Sequence, residues 1–408
     1  MNTNKIKYII FIYMIYMGMF WSCFQYQINE IFSYWDEILA LLFIPLLLIN
    51  IINSKDCRNI ILWMLIALFL FCGIIGNIIN GYTKITIAIQ DAFLNIKFFM
   101  ICYTSMYIFK GWDLKKYKNR ISIHLSLLTI VLLLTIIMDK ICKFFPVYEV
   151  RFGIESEQIF YKHPTFCASA LFYLLMLRWL IIGNKRFLNR ILDVGIIMGI
   201  VMTLRFKAIA TIILIIAYMI SEKNKKIKGI IISVGTICVL IVTHNQIYNY
   251  FFSDYAMQYP RGALFAVSMH ILKDFFPFGT GFATFGSFLS GEFYSPIYAM
   301  YKIDKLPGIT IDECNAITDQ YWPMIAGQTG ISGLLIMIII WIIIYNKIKL
   351  NRRKDNRLYI VGMSCFIYIL ISSTSESAIC NPVCIPMAIV IGLVFSQGKI
   401  KNGDKNEI

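Results

Sequence analysis

The chain has 408 residues, of which 59% are hydrophobic and only 15% charged, and its mean hydropathy is +0.70. Soluble globular proteins are about 45–50% apolar and about 25% charged, so this composition cannot cover a water-facing sphere, and the bilayer must be its solvent. The net charge of +15 does not point to nucleic acid as a partner, because the basic residues line one side of a membrane. Eleven cysteines are scattered without a C-x-x-C pair. Cys23, Cys72, Cys102, Cys167, Cys238, Cys365 and Cys380 lie in or beside apolar runs, where a reduced thiol is a small hydrophobe. Four dispersed histidines, His124, His163, His244 and His270, suggest no zinc site, so neither a metal nor a cofactor is expected.

A membrane-spanning helix needs about 20 mostly apolar residues. In chain order the runs are Tyr8–Phe24, Trp35–Ile52, Ile60–Ile79, Ile85–Phe109, Ile121–Met138, Pro164–Ile182, Ile191–Ile220, Ile227–Asn245, Tyr321–Tyr345, Arg357–Ser373 and Cys380–Ser396. The first follows Lys5 and Lys7, lacks a small-x-small cleavage site, and reads as an uncleaved signal anchor. As one helix, Ile191–Ile220 would be about 45 Å long, well beyond a core of about 30 Å. Arg205 and Lys207 interrupt it, and both its flanks are basic. An even number of crossings is therefore required, which predicts two short helices meeting near Arg205–Lys207. The sum is an all-α polytopic protein of about twelve transmembrane helices with both termini inside.

Charge sorts accordingly. Lys110, Lys115, Lys116, Lys118 and Arg120 fall in one inner loop, and Lys347, Lys349, Arg352, Arg353, Lys354 and Arg357 in another. The outer segments are balanced or acidic. The whole chain, 1–408, reads as a single transmembrane domain with a smaller extracytoplasmic loop at 139–163 and a large one at 246–320. The large loop is aromatic and glycine-bearing, a composition that argues for function rather than disorder. No internal repeat and no separate soluble domain are evident.

Three outward-leaning arginines stand in apolar settings: Arg151, Arg205 and Arg261. A guanidinium is always charged and its donor fork matches phosphate oxygens, so a cluster drawn from three parts of the chain would suit a pyrophosphate at the membrane surface. The bland alternative is snorkelling or pairing with a nearby carboxylate; for Arg151 those carboxylates are Glu149, Glu155 and Glu157. Lys207 shares the turn with Arg205 as a second substrate contact. Tyr259-Pro260-Arg261-Gly262, followed by Pro277-Phe278-Gly279-Thr280-Gly281, puts Tyr259, Gly279 and Gly281 near the same ligand, although a plain turn explains the glycines equally well. Asp319 enters a helix carrying Gly327, Gly330 and Gly333; it is either a helix-terminal carboxylate or a group that orients or deprotonates a sugar hydroxyl. His163, ahead of Pro164, is a helix cap or a second base. In the fourth helix Gln90 and Lys97 share one face, Asp91 and Asn95 another, with helix–helix polar contact the plainer explanation.

In order and sidedness these pieces resemble the O-antigen polymerase and ligase-like membrane proteins of the Wzy type. The resemblance rests on Arg151-Phe-Gly with Lys162-His163-Pro164-Thr165-Phe166, on Thr203-Leu-Arg205 between short helices, on Arg261 leading to Pro277-Phe-Gly279-Thr-Gly281, and on Asp319-Gln-Tyr followed by Gly330-Ile-Ser-Gly333. It covers about Arg151 to the C-terminus. It implies a GT-C-like, metal-independent glycosyltransferase of the bacterial plasma (inner) membrane that acts on undecaprenyl-diphosphate-linked oligosaccharide. Its essential arginines would fall at Arg151, Arg205 and Arg261, with Asp319 beside the acceptor. Membrane lipids and a chain-length regulator are the implied partners, and no nucleic acid. The ligase branch often carries histidine where this chain has Asp319, which favours a polymerase over an O-antigen ligase. The turn Leu-Arg-Phe-Lys also departs from the family's commoner Ser-Arg-Gly-like form. A flippase or other transporter of lipid-linked glycan is the alternative of a different class, kept open by Asp91 and Lys97.

Overall fold

The computed structural model describes residues 3–54, 56–151, 153–183, 186–223, 229–231, 233–237, 248 and 256–397. Its elements follow the apolar runs. Six long helices come first: α1 (Thr3–Gln27), α2 (Trp35–Ile52), α3 (Cys57–Asn80), α4 (Ile85–Ile108), α5 (Leu114–Cys142) and α6 (Pro164–Ile181). Between the last two lies a small hairpin of β1 (Val150–Arg151) and β2 (Ile154–Glu155), antiparallel. The predicted pair is present as α7 (Phe187–Met202) and α8 (Phe206–Lys223). Three short surface helices follow, α9 (Pro260–Asp274), α10 (Phe288–Glu292) and α11 (Pro296–Met300). The chain then enters α12 (Tyr321–Lys349), α13 (Asn356–Ser372) and α14 (Ile385–Gln397).

Seven of these helices, counting among the described residues, are long and apolar enough to cross a membrane, and α13 and α14 are shorter apolar ones. The protein is thus an all-α, membrane-embedded chain. The expected helix over Ile227–Asn245 lies largely outside the described residues.

Two helices form the centre. α6 is buried along nearly its whole length, and every residue of α14 from Ile385 to Phe395 is buried. Helices apolar on all sides belong inside a bundle, and that is where these sit. Around them α2, α3, α5 and α7 bury one stripe and present Leu42, Ile52, Phe71, Ile78, Ile130, Ile137 and Leu188 outward, as lipid-facing helices do.

Helix termini sort onto two ends. At one, Lys7 Nζ donates to the Lys110 carbonyl (2.9 Å), Lys347 Nζ to Asn59 Oδ1 (2.7 Å) and Arg352 Nη2 to Glu222 Oε1 (2.9 Å). The termini gathered there carry the basic clusters. At the other end lie the hairpin, the turn between α7 and α8, the surface helices and the connection from α13 to α14. There Ser377 N–H donates to the Thr318 carbonyl (2.8 Å) and Tyr161 Oη to the Met19 carbonyl (3.0 Å).

The large loop departs from the sequence reading, which saw no separate folded unit. From Ala256 onward it has a core of its own: Ala263, Leu264, Val267 and Ile271 of α9 pack with Phe285, Ile297, Tyr298, Ile303, Ile309 and Ile317. The loop also dips between α3 and α12. Gly330 interrupts α12 with φ 62°, ψ −166°, and the opening admits the turn 277–283. Non-helical backbone is tolerated at that depth only where protein satisfies it. Thr280 and Gly281 N–H donate to the carbonyls of Gly327 and Gln328 (both 2.9 Å). Asn77 accepts from Phe282 N–H (2.7 Å) and donates to its carbonyl (2.8 Å), and Asp91 Oδ2 accepts from Ala283 N–H (2.7 Å) and Gln328 Nε2 (2.8 Å).

Candidate functional site

The break between α7 and α8 is built by Thr203 and Leu204. Thr203 Oγ1 donates to the Ile200 carbonyl (2.7 Å), and Leu204 takes φ 52°, a left-handed conformation that costs a non-glycine residue roughly 1 kcal/mol or more. The chain thereby reverses at the mixed-charge end, and Arg205 and Lys207 leave the turn there. The hairpin delivers Arg151 to the same place: its Nη1 donates to the Leu204 carbonyl (3.3 Å). Glu149 Oε1 receives both Arg151 Nε (3.0 Å) and Arg205 Nη2 (2.6 Å), so one carboxylate holds two guanidiniums that would otherwise repel. Tyr148 lies 5.7 Å from the Arg205 guanidinium carbon, and Phe206 lies 5.5 Å from that of Arg151, both over aromatic faces.

The connection from α13 to α14 joins this group to the large loop. It is pinned at three points: Tyr321 N–H donates to the Ser373 carbonyl (3.1 Å), Trp322 Nε1 to Ser373 Oγ (2.8 Å), and Ser377 N–H to the Thr318 carbonyl. Two successive residues of this connection then reach opposite ways. Ser375 offers its carbonyl to Arg261 Nη2 (3.4 Å), and Glu376 Oε1 pairs with Lys207 Nζ (2.5 Å). Arg261 Nε donates to Asp319 Oδ2 (2.9 Å). The three arginines named from sequence therefore converge, together with Lys207, around Glu149, Glu376 and Asp319.

The electrostatics agree with the contacts. Burial, then Arg205, Lys207 and Arg151 in turn, push His163 down to about 4. Burial also raises the Asp319 carboxyl above its ordinary value, and Arg261 opposes that shift; Glu376 raises it further and Lys207 lowers it. Each group thus feels members of the cluster that it does not touch. Among the described residues, four cations and three carboxylates meet in these pairs.

Several candidates take other roles. His163 Nδ1 accepts from Thr165 N–H (3.1 Å) as the cap of α6. A neutral imidazole that accepts at Nδ1 carries its proton at Nε2, so His163 can donate to a ligand but cannot serve as the base. Gly279 and Gly281 lie inside packed protein. A Cβ on Gly279 would stand 2.5 Å from the Gly327 carbonyl oxygen, and one on Gly281 would stand 2.5 Å from Asn77 N. Tyr259 is part-exposed at the cap position of α9, two residues before Arg261. In α4, Gln90 is exposed while Lys97 is buried, so the two do not share an interior face. Lys97 pairs instead with Asp36 (2.7 Å) and Glu37 of α2. Among the described residues, no three His, Cys, Asp or Glu side chains are grouped to hold a metal ion.

Glu376 escaped the sequence reading. Its signal was faint: a lone carboxylate in the Ser/Thr-rich turn Ser372-Ser373-Thr374-Ser375-Glu376-Ser377, between the last two apolar runs.

No protein-family model matches the chain, and no curated protein matches it.

Proposed function

We propose that this protein is a metal-independent membrane glycosyltransferase, a polymerase that moves a growing glycan from undecaprenyl diphosphate to the hydroxyl of an incoming lipid-linked repeat unit. In this reading about twelve helices cross a bacterial plasma membrane, the basic end and both termini face the cytoplasm, and the cluster works at the outer surface.

One observation carries the reading: Arg151, Arg205, Lys207 and Arg261, drawn from three separate segments, meet in one partly exposed cluster. A sugar-1-diphosphate lipid is already activated and needs no nucleotide. The protein must bind the diphosphate, neutralise the charge that grows on it as the sugar leaves, and take a proton from the acceptor. Preorganised guanidiniums do the first two, at a membrane surface where water screens them less than in bulk. A carboxylate of the cluster does the third. In this reading Tyr259 and His163 Nε2 contact the glycan or the phosphates. The phosphates arrive on a lipid, which suits a site that opens where the helices end. Membrane lipids and a chain-length regulator remain the partners this reading implies.

A transporter reading finds its support in the buried Lys97–Asp36–Glu37 group, since charge deep in a bundle often marks a translocation path. Lys97 and Asp36 are fully buried, whereas Arg151, Arg261 and Asp319 are partly exposed, and this access favours transfer. In cells whose own gene is replaced by the Arg261→Ala form, long glycan chains should disappear and single repeats accumulate while the protein persists at its normal level. A normal ladder of chain lengths in that strain would reject the assignment. Full-length chains left unattached would turn it to a ligase.

A further inference from the structure

We infer that Glu376 is the general base of the transfer and that it is released for this work by the donor diphosphate itself, through exchange of its ion pair with Lys207. The inference rests on the transferase reading above.

Three carboxylates lie in the cluster, and their partners differ in kind. Glu149 Oε1 lies 3.0 Å from Arg151 Nε and 2.6 Å from Arg205 Nη2, so two guanidiniums hold it. Asp319 accepts from Nε of Arg261. A guanidinium has five N–H donors in a planar fork, so Arg261 can keep Nε on Asp319 while a phosphate replaces the Ser375 carbonyl at its terminal N–H groups. Asp319 is then a positioning residue that fixes the plane of Arg261. Glu376 is paired with a lysine, whose single ammonium on a flexible stem is a point charge. A diphosphate carrying two or more negative charges competes for that ammonium directly, and Glu376 is the carboxylate left behind.

Position favours Glu376 as well. Glu376 pairs with Lys207 while the neighbouring Ser375 carbonyl accepts from Arg261, so this connection joins the two halves of the cluster. Its connection is pinned at Ser373 and Ser377, which holds the carboxylate in place when its partner moves. In the transfer, the acceptor O–H gives its proton to the Glu376 carboxylate and its oxygen forms a bond to the anomeric carbon of the donor. The bond from that carbon to the phosphate oxygen breaks, and its electron pair leaves on the lipid diphosphate, where Arg151, Arg205, Lys207 and Arg261 receive it.

Ion-pair exchange makes a signature that a purely structural residue lacks. In Glu376→Gln, Lys207 loses its internal competitor, so binding and turnover must move in opposite directions. The purified full-length protein in nanodiscs is titrated with undecaprenyl diphosphate, and turnover is then measured with synthetic undecaprenyl-diphosphate-linked repeat units. Binding to Glu376→Gln should tighten at least roughly threefold, the scale of one partly screened ion pair, and turnover should fall by about 10²-fold or more, the scale of general-base catalysis. Glu376→Asp keeps the charge, and its turnover should stand above that of the Gln form at an unchanged melting temperature. Glu376→Gln turning over within a few-fold of the parent overturns the base assignment, and weaker binding in that variant overturns the exchange. A parent protein that binds the diphosphate but never extends the repeats overturns the transferase reading, and the role of Glu376 falls with it.

Discussion

Two groups of charged side chains in this protein look alike in composition and differ in setting. Inside the bundle, Lys97 meets Asp36 and Glu37, and its side chain is only 1% exposed; Arg178, equally buried, meets Asp193 at 2.6 Å and Thr129 at 3.3 Å. At the mixed-charge end, side-chain exposure runs from 11% at Arg205 and 12% at Lys207 to 24–31% at Arg261, Arg151, Glu149 and Asp319. Sealed groups match or exceed their cations with acid and join helices: Lys97 ties α4 to α2, and Arg178 ties α6 to α7 and α5. The outer group joins the hairpin, the turn between α7 and α8 and the large loop instead. Arginine in an apolar stretch is therefore not diagnostic by itself; its access to solvent decides between a staple and a site.

The comparison breaks if the two groups respond alike to mutation. Arg261→Ala should have the largest effect, a loss of about 10²–10³-fold in transfer, the scale of removing one preorganised donor to a developing anion, with little change in melting temperature. Arg261→Lys should recover only a minor share, since a point charge cannot serve Asp319 and a phosphate together. Lys97→Ala should do the reverse. It leaves two carboxylates buried without their cation and should cost about 3–5 kcal/mol of stability, read as loss of folded protein in detergent, while any protein that folds still binds the diphosphate. A Lys97→Ala protein that folds normally but cannot bind would move the site into the bundle and restore the transporter reading.

Gly279→Ala should give a smaller effect of purely structural kind. At φ +73°, with the Gly327 carbonyl 2.5 Å from the new Cβ, the turn must shift away from α12, at a cost of about 1–3 kcal/mol. Diphosphate binding per folded molecule should hold, whereas a glycine that touches ligand would lose affinity first. The smallest effect concerns His163. Its ordinary value of 6.5 is depressed to about 4 in the fold, so the unfolded chain binds a proton that the native one refuses between those limits. The stability this contributes is fully present above about 6.5 and is lost as pH falls towards 4. His163→Asn, which keeps a side-chain acceptor at the cap of α6, should flatten the fall in melting temperature over that window.

Much of this was legible in the sequence because cost is legible. Arg205 and Lys207 in a 30-residue apolar stretch had to mark a break, and the break falls at Thr203–Arg205. Arg151 and Arg261 were visible for the same reason. Partners were not visible, because nothing local records them: Asp36 and Glu37 precede Lys97 by 60 residues and more, and Glu376 follows Lys207 by well over a hundred. The glycines misled for a physical reason. Gly279 and Gly281 do permit a close approach, but what approaches is the backbone of α12 and of α3, and sequence cannot tell a helix from a ligand. The large loop misled in the opposite sense, since no separate folded unit was evident in its spaced apolar residues until α9 and the short helices brought them together.

The most direct test is reconstitution. Purified protein in liposomes, supplied with synthetic undecaprenyl-diphosphate-linked repeats on the outer side alone, should build products of two or more repeats and release undecaprenyl diphosphate in step with each bond formed, and the Arg261→Ala form should build none. Intact repeats carried across the bilayer with no bond broken, or equal chain growth by the Arg261→Ala form, would contradict the account.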